Sequence, residues 1–167
     1  MENDWLFKTE SNICSFRTVG VLLRDNKILV QREKDGTEYA LPGGHVKIGE
    51  TTEQSIIREY KEETGADISC DRLLWVEETF WNWDGRETHS IAFYYFISLK
   101  KDSDIPDDCF QSHKDNCHVV LKWVTIDEMK RLTIYPNFLK DKIEKNTYTN
   151  ATLIIANNNT TSSISII

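Results

Sequence analysis

The sequence predicts a single α/β domain, and three observations carry that prediction. Apolar residues alternate with a period of two between Arg17 and Arg32 and again from Leu73 to Leu99, the pattern of strands packed on a core. Between them, Ile56, Ile57 and Tyr60 sit at i, i+3/i+4 spacing, which gives a helix its apolar face. The chain has 167 residues, within the roughly 100–200 of one domain. A domain of that size buries about two-thirds of its unfolded surface, so its core needs no disulfides.

Each element has a local reason. Val19, Val21 and Leu23 alternate, Asp25-Asn26 supplies a turn, and Ile28, Leu29 and Val30 follow, which reads as two strands. Leu41-Pro42-Gly43-Gly44 is expected to break regular structure, since proline lacks a donor and paired glycines permit positive φ. A helix follows from about Thr52 to Thr64. Thr51 and Gln54 have capping-box spacing at its start, and Gly65 is placed to end it in the left-handed conformation. Leu73 to Trp81 and Thr88 to Leu99 flank Asp84-Gly85, a strong hairpin signal. Lys100 to His118 is polar and reads as a loop. Val119 to Thr125 reads as a strand, Asp127 to Leu132 as a short helix, and Asn137 to Lys145 as a last helix after Pro136. The domain is expected over residues 1–147. Residues 148–167 form a polar, low-complexity tail through Asn157 to Ser163; its Ile-rich end has strand potential, but fraying is the expectation.

Composition narrows the function. The net charge of −7 repels phosphate backbones, which argues against a DNA grip and requires a cation to mediate contact with a phosphorylated substrate. No apolar run approaches the roughly 20 residues of a membrane span. The opening Met1-Glu2-Asn3-Asp4-Trp5 has no basic and apolar leader pattern. Cys14, Cys70, Cys109 and Cys117 are scattered rather than paired as CxxC, and read as reduced thiols of a cytoplasmic protein.

The chemistry concentrates between Gly44 and Ala66. Glu59, Glu62 and Glu63 fall at i, i+3 and i+4 and so share one helix face. Carboxylates crowded in this way repel unless a cation sits among them. Mg²⁺ suits such a cluster, because it takes oxygen ligands and binds through a few carboxylates plus substrate phosphates. Arg58, four residues before Glu62, is placed to pair with and orient that carboxylate, and its planar fork does this better than a lysine. The Gly43-Gly44 turn brings bare backbone close to the helix start, where a metal or phosphate can be approached. Glu62-Glu63 alone would be an ordinary solvated pair. The full set of fixed offsets, Gly44, Glu50, Arg58-Glu59, Glu62-Glu63 and Gly65, is not ordinary.

This stretch resembles the Nudix box, GX5EX7REUXEEXGU with U apolar, and matches it at every fixed position. Tyr60 and Ala66 stand at the U positions as mild departures from the usual aliphatic. The resemblance covers about Arg17 to Lys140 and includes Pro42-Gly43-Gly44-His45. It implies an α/β/α sandwich with a mixed sheet, in which the box forms loop–helix–loop. It further implies that Glu59, Glu62, Glu63 and the Gly44 carbonyl bind Mg²⁺, with Mn²⁺ as an alternative. Arg58 would orient the glutamates and Glu50 would support the loop. The implied reaction is attack of water on a phosphorus of a nucleoside diphosphate linked to another moiety. Glu59, Glu62, Glu63 and Arg58 would carry it, in a monomer or homodimer. The proton acceptor is a box glutamate or a later acidic residue; Glu77, Glu78, Glu87, Asp104, Asp107 and Asp108 are the candidates outside the box.

Substrate preference is open among nucleoside triphosphates, ADP-ribose, nucleotide sugars and dinucleoside polyphosphates. Trp75, Phe80, Trp81 and Trp83 cluster near the hairpin, where stacking on a base competes with sheet packing. Arg24, Gln31, Arg32 and His45 are further candidates for contact with phosphate or ribose. Cys109, His113, Cys117 and His118 match no common zinc spacing and read as unrelated loop residues. Two other functions compete: a catalytically silent nucleotide- or sugar-sensing module, and an RNA 5′-end pyrophosphohydrolase. The intact box counts against the first, and the acidic charge against the second.

Overall fold

The structure, a computed structural model, describes residues 3–101, 103–114, 118–145, 152–157 and 160–165. Its frame is a large mixed sheet. In chain order the strands are β1 (Leu6–Lys8), β2 (Asn12–Arg24), β3 (Lys27–Glu33), β4 (Glu38–Ala40), β5 (Gly43–His45), β6 (Ile68–Trp83), β7 (Arg86–Leu99), β8 (Phe110–Gln111), β9 (Val119–Thr125), β10 (Thr133–Tyr135), β11 (Thr152–Asn157) and β12 (Thr160–Ser165). Three helices complete the described chain: α1 (Thr52–Thr64), α2 (Ile126–Met129) and α3 (Leu139–Glu144).

The strands run in the order β10-β4-β3-β2-β7-β6-β11-β12, with β1 and β5 also paired to β2 and β9 to β3. The β2–β3 turn puts Asp25 and Asn26 at positive φ, the conformation that two-residue hairpins demand. Asp84 and Gly85 do the same between β6 and β7. β2 and β7 are parallel neighbours, so the sheet is mixed.

Alternation along β2 and β3 divides the core in two. Val19, Val21, Ile28 and Val30 face one cluster with Trp75, Tyr94, Leu139 and Ile143; Leu22 and Leu29 face the other with Ile56, Tyr60, Tyr95 and Ile97. Helix α1 therefore covers one side of the sheet and α3 the other, the layered α/β arrangement expected from the sequence. Each fully buried aliphatic or aromatic side chain contributes about 1.5–3 kcal/mol.

Helix α1 begins and ends where its caps place it. Thr51 Oγ1 accepts from Gln54 N at 3.1 Å while Gln54 Oε1 accepts from Thr51 N at 2.9 Å. Gly65, at φ 75°, closes the far end by donating its N–H to Lys61 O at 3.1 Å.

Two expectations are corrected. Gly43 and Gly44 do not merely break the chain; with His45 they form β5, paired to Arg17–Val19 of β2. Without side chains, their backbone can lie directly against its neighbours, and a Cβ on Gly43 would collide with Thr18 O. The tail does not simply fray: β11 lies parallel to β6 and antiparallel to β12. Ile154 is fully buried in the cluster with Trp75 and Tyr94, which gives β11 an apolar anchor. The strands β1, β4, β8 and β10 are two or three residues long, below the length at which periodicity reads.

Candidate active site

The box helix carries its charged face toward β5 and the loop after β8. Arg58 is the hub. Its Nη2 donates to Glu50 Oε1 at 2.6 Å, its Nε to Glu50 Oε2 at 3.1 Å, and its Nη1 to Glu59 Oε1 at 2.7 Å and Glu62 Oε2 at 3.1 Å. Nη2 also reaches the His45 carbonyl at 3.1 Å. One guanidinium thus fixes two ligand-type carboxylates on the helix and ties them to the preceding loop. Glu50 in turn accepts from Lys47 N at 2.7 Å, which closes that loop. The expected Arg58–Glu62 pairing is present; the bidentate Arg58–Glu50 pair supplies the loop support expected of Glu50. Planar forks suit this arrangement, and a lysine could not reproduce it.

Glu59 and Glu62 share a second cation that the sequence did not single out. Lys114 Nζ lies 2.7 Å from Glu59 Oε2 and 3.0 Å from Glu62 Oε2. Lys47 Nζ stands 3.8 Å from Glu62 Oε1. Burial pushes the Glu62 carboxyl up, but Lys114, Arg58 and Lys47 together outweigh it and hold Glu62 below the usual carboxylate range. Glu50 is held low in the same way, burial opposing and Arg58 winning. Lys114 sits in a loop with no periodic signal, so its arrival depends on the fold alone: His113 N donates to Glu63 O at 2.9 Å and draws the loop onto the C-terminal turn of α1.

Gly44 packs against this cluster. A Cβ there would collide with the Glu59 carboxylate and displace it from its present position. Glu59 and Glu63 are both buried. Among the described residues, no group of three or more His, Cys, Asp or Glu side chains is already drawn into a metal cage. Glu59 and Glu62 are instead drawn together around an ammonium group. The donors here are carboxylate oxygens beside a bare glycine backbone, and they already hold a cation; that donor set fits Mg²⁺ or Mn²⁺.

Other sequence candidates fall elsewhere. Asp104 and Asp107 bind Arg24 at 2.7 and 2.5 Å, and Arg24 also lies over the Trp123 ring at 4.2 Å. Glu78 pairs with His89 at 2.9 Å. Arg32 donates to backbone carbonyls of Glu33 and Gly36. Cys117 lies outside the described residues. The hairpin register divides the aromatics: Trp75, Trp81 and Trp83 alternate on one face of β6, whereas Phe80 is on the other, its ring 4.3 Å from that of His89. His45, next to Arg17 at 3.4 Å, is lowered to about 4 by burial and by Arg17, so its ring is neutral at physiological pH.

An α/β layer fold whose loop–helix–loop gathers glutamates around a cation defines a class of phosphate-handling domain. A family model described as NUDIX domain matches residues 15–144, and the chain belongs to that family. Over 60 residues the chain is 49% identical to an ADP-ribose pyrophosphatase of Methanocaldococcus jannaschii, covering 34% of this chain and 36% of that protein. It is 29% identical over 116 residues to a Nudix hydrolase of Bacillus subtilis (strain 168), covering 70% and 69% of the two chains. The chain spans about a third of the length of the ADP-ribose pyrophosphatase-named relatives. Among solved structures, a MutT protein from Bacillus halodurans superposes with TM-score 0.64 at 16% identity, covering 89% of this chain and 97% of that one, a likeness of fold.

Proposed function

We propose that this chain is a divalent-cation-dependent hydrolase that cleaves the diphosphate linkage of a nucleoside diphosphate joined to another moiety. The observation that carries this reading is the pair Glu59–Glu62, held by Arg58 and closed over one ammonium group from Lys114. Carboxylates gathered around a positive charge in this way offer their oxygens to a stronger cation.

Glu59, Glu62 and Glu63, with the Gly44 carbonyl, would hold Mg²⁺ or Mn²⁺. When bound, the ion supplies positive charge to the diphosphate oxygens and makes water a stronger acid. The protein's own groups do the rest. Arg58 keeps Glu59 and Glu62 in fixed rotamers, so no reorganisation is needed as charge develops. Lys114, once its carboxylates are taken by the ion, is free to meet a phosphate oxygen. A box carboxylate takes the proton of the attacking water. The relatives named ADP-ribose pyrophosphatase support ADP-ribose and kindred compounds as the first substrates to try. Among the described residues no helix is long and apolar enough to cross a membrane.

The test is phosphate release, coupled to a phosphatase, across nucleotides and nucleotide sugars with Mg²⁺, comparing wild type and Glu62→Gln. Turnover of one class, reduced by about a hundredfold or more in the variant, is the expected result for loss of a ligand carboxylate. A folded wild type that turns over nothing in the panel would contradict it and favour the sensing module.

A further inference from the structure

Two cations hold the Glu59–Glu62 pair, and they hold it in different ways. Arg58 belongs to the framework: besides both carboxylates it binds Glu50 through two nitrogens and the His45 carbonyl through one. Lys114 Nζ reaches Glu59 Oε2 at 2.7 Å and Glu62 Oε2 at 3.0 Å, and its side chain is 38% exposed against 20% for Arg58. The two divide Glu59 between them, Arg58 on Oε1 and Lys114 on Oε2. Arg58 can therefore keep this carboxylate in place while its other oxygen changes partner.

The loop that brings Lys114 is fastened just before it. Ser112 N donates to Val119 O at 2.9 Å and His113 N to Glu63 O at 2.9 Å. Lys114 N reaches the Ser112 hydroxyl at a longer 3.3 Å. An ammonium on a flexible four-carbon stem can swing away from such an anchor and leave the anchor where it is; a planar guanidinium bonded on several sides cannot.

The ammonium sits on the oxygens that the proposed metal ion would use. A divalent ion on Glu59 and Glu62 would meet it as a like charge at contact range, and Glu59 is buried, so solvent screens the repulsion poorly. The two cations compete for the same oxygens. With neither present, Glu59 and Glu62 would keep Arg58 but lose the second charge that bridges them, and crowded carboxylates repel.

We infer that Lys114 is a tethered counter-ion: it fills the cation site of the metal-free protein, and a divalent ion binds by exchanging with it. The inference rests on the proposed binding of that ion by Glu59 and Glu62. Exchange makes Lys114 stabilise the metal-free form and weaken metal affinity, although it stands beside the ligands. A lysine that only shaped the site would strengthen metal binding instead.

The experiment compares wild type with Lys114→Met, which keeps the stem and drops the charge, and Lys114→Arg, which keeps a charge. Mn²⁺ alone is titrated calorimetrically into chelator-stripped protein. Melting temperatures are taken without metal and with saturating Mn²⁺. Lys114→Met is expected to bind Mn²⁺ about fivefold more tightly, the scale of one lost charge pair. It is expected to melt below wild type without metal and level with it when Mn²⁺ is bound, as linkage requires. A variant that folds only with Mn²⁺ is the same result in its extreme. Lys114→Arg does not share the gain in affinity. Equal or weaker Mn²⁺ binding by Lys114→Met overturns the inference and leaves the hydrolase reading standing. So does a melting temperature lowered equally with and without the ion, or a gain in affinity shared by Lys114→Arg. Mn²⁺ bound by none of the three proteins removes the proposed metal site and this inference with it.

Discussion

At the scale of the residue, the molecule shows how environment assigns roles to chemically identical groups. Glu50, Glu62 and Glu77 are all partly or wholly buried glutamates. Arg58 or Lys114 beside the first two keeps them ionised, whereas Glu77 has only a tyrosine hydroxyl. The consequence is measurable as stability against pH. Glu77 has its ordinary value near 4.5 when unfolded and about 7 when folded, so between those values the folded state binds more protons. Stability then falls as pH rises from 4.5 to 7 and is level above, by about 3 kcal/mol at most. Chemical denaturation of wild type and Glu77→Gln at pH 5 and pH 8 checks this. Wild type is expected to lose ground relative to the variant at pH 8; parallel curves would show that Glu77 is not desolvated.

At the scale of the element, α1 is a platform whose ends are defined by sequence. Thr51 and Gln54 close a reciprocal cap at one end and Gly65 a left-handed turn at the other. The three box glutamates keep their spacing because nothing between these ends interrupts the helix. Thr51→Ala is expected to cost about 1 kcal/mol, a fall of roughly 2–4 °C in Tm for a chain of this size, while kcat of the folded protein is little changed. A calorimetric scan paired with a turnover assay separates the two. A large fall in kcat with unchanged Tm would mean that the cap acts on the loop carrying Glu50 rather than on the helix.

At the scale of the whole molecule, the tail is where structure and sequence part. Thr152–Asn157 extends the sheet beside β6 and buries Ile154 against the core, although its neighbours are polar and low in complexity. An exposed edge of β6 would otherwise offer unpaired backbone groups to other chains. Ile154→Ala is expected to destabilise by about 2–5 kcal/mol; an unchanged denaturation midpoint would mean that β11 adds nothing to the core. The rest of the fold was legible in proportion to local signal. Helix α1, both tight turns and the long strands follow from caps, positive-φ pairs and alternation, all contained within a few residues. The Arg58–Glu59–Glu62 cluster was legible for the same reason, since the three residues lie within about a turn and a half of helix. Lys114 and the Arg17–His45 contact were not, because they reach the site from segments 55 and 28 residues away from their partners. Glu77 was visible only as one of several acidic residues; its burial beside Tyr94 comes from strand register, which sequence does not print. Long-range pairing also explains why β4 and β10, three residues each, escaped notice: β4 is a strand through its pairing with β3 and β10, and β10 through β4.

The central claim is that Glu59 and Glu62 collect the cation on which hydrolysis depends. The most direct measurement is turnover of the best substrate by chelator-stripped protein as Mg²⁺ is titrated back, for wild type and Glu59→Gln. Saturable recovery in wild type, with the variant needing much more Mg²⁺ or failing to recover, is the predicted result. Turnover that is indifferent to Mg²⁺, or a variant whose titration overlays that of wild type, would contradict the claim.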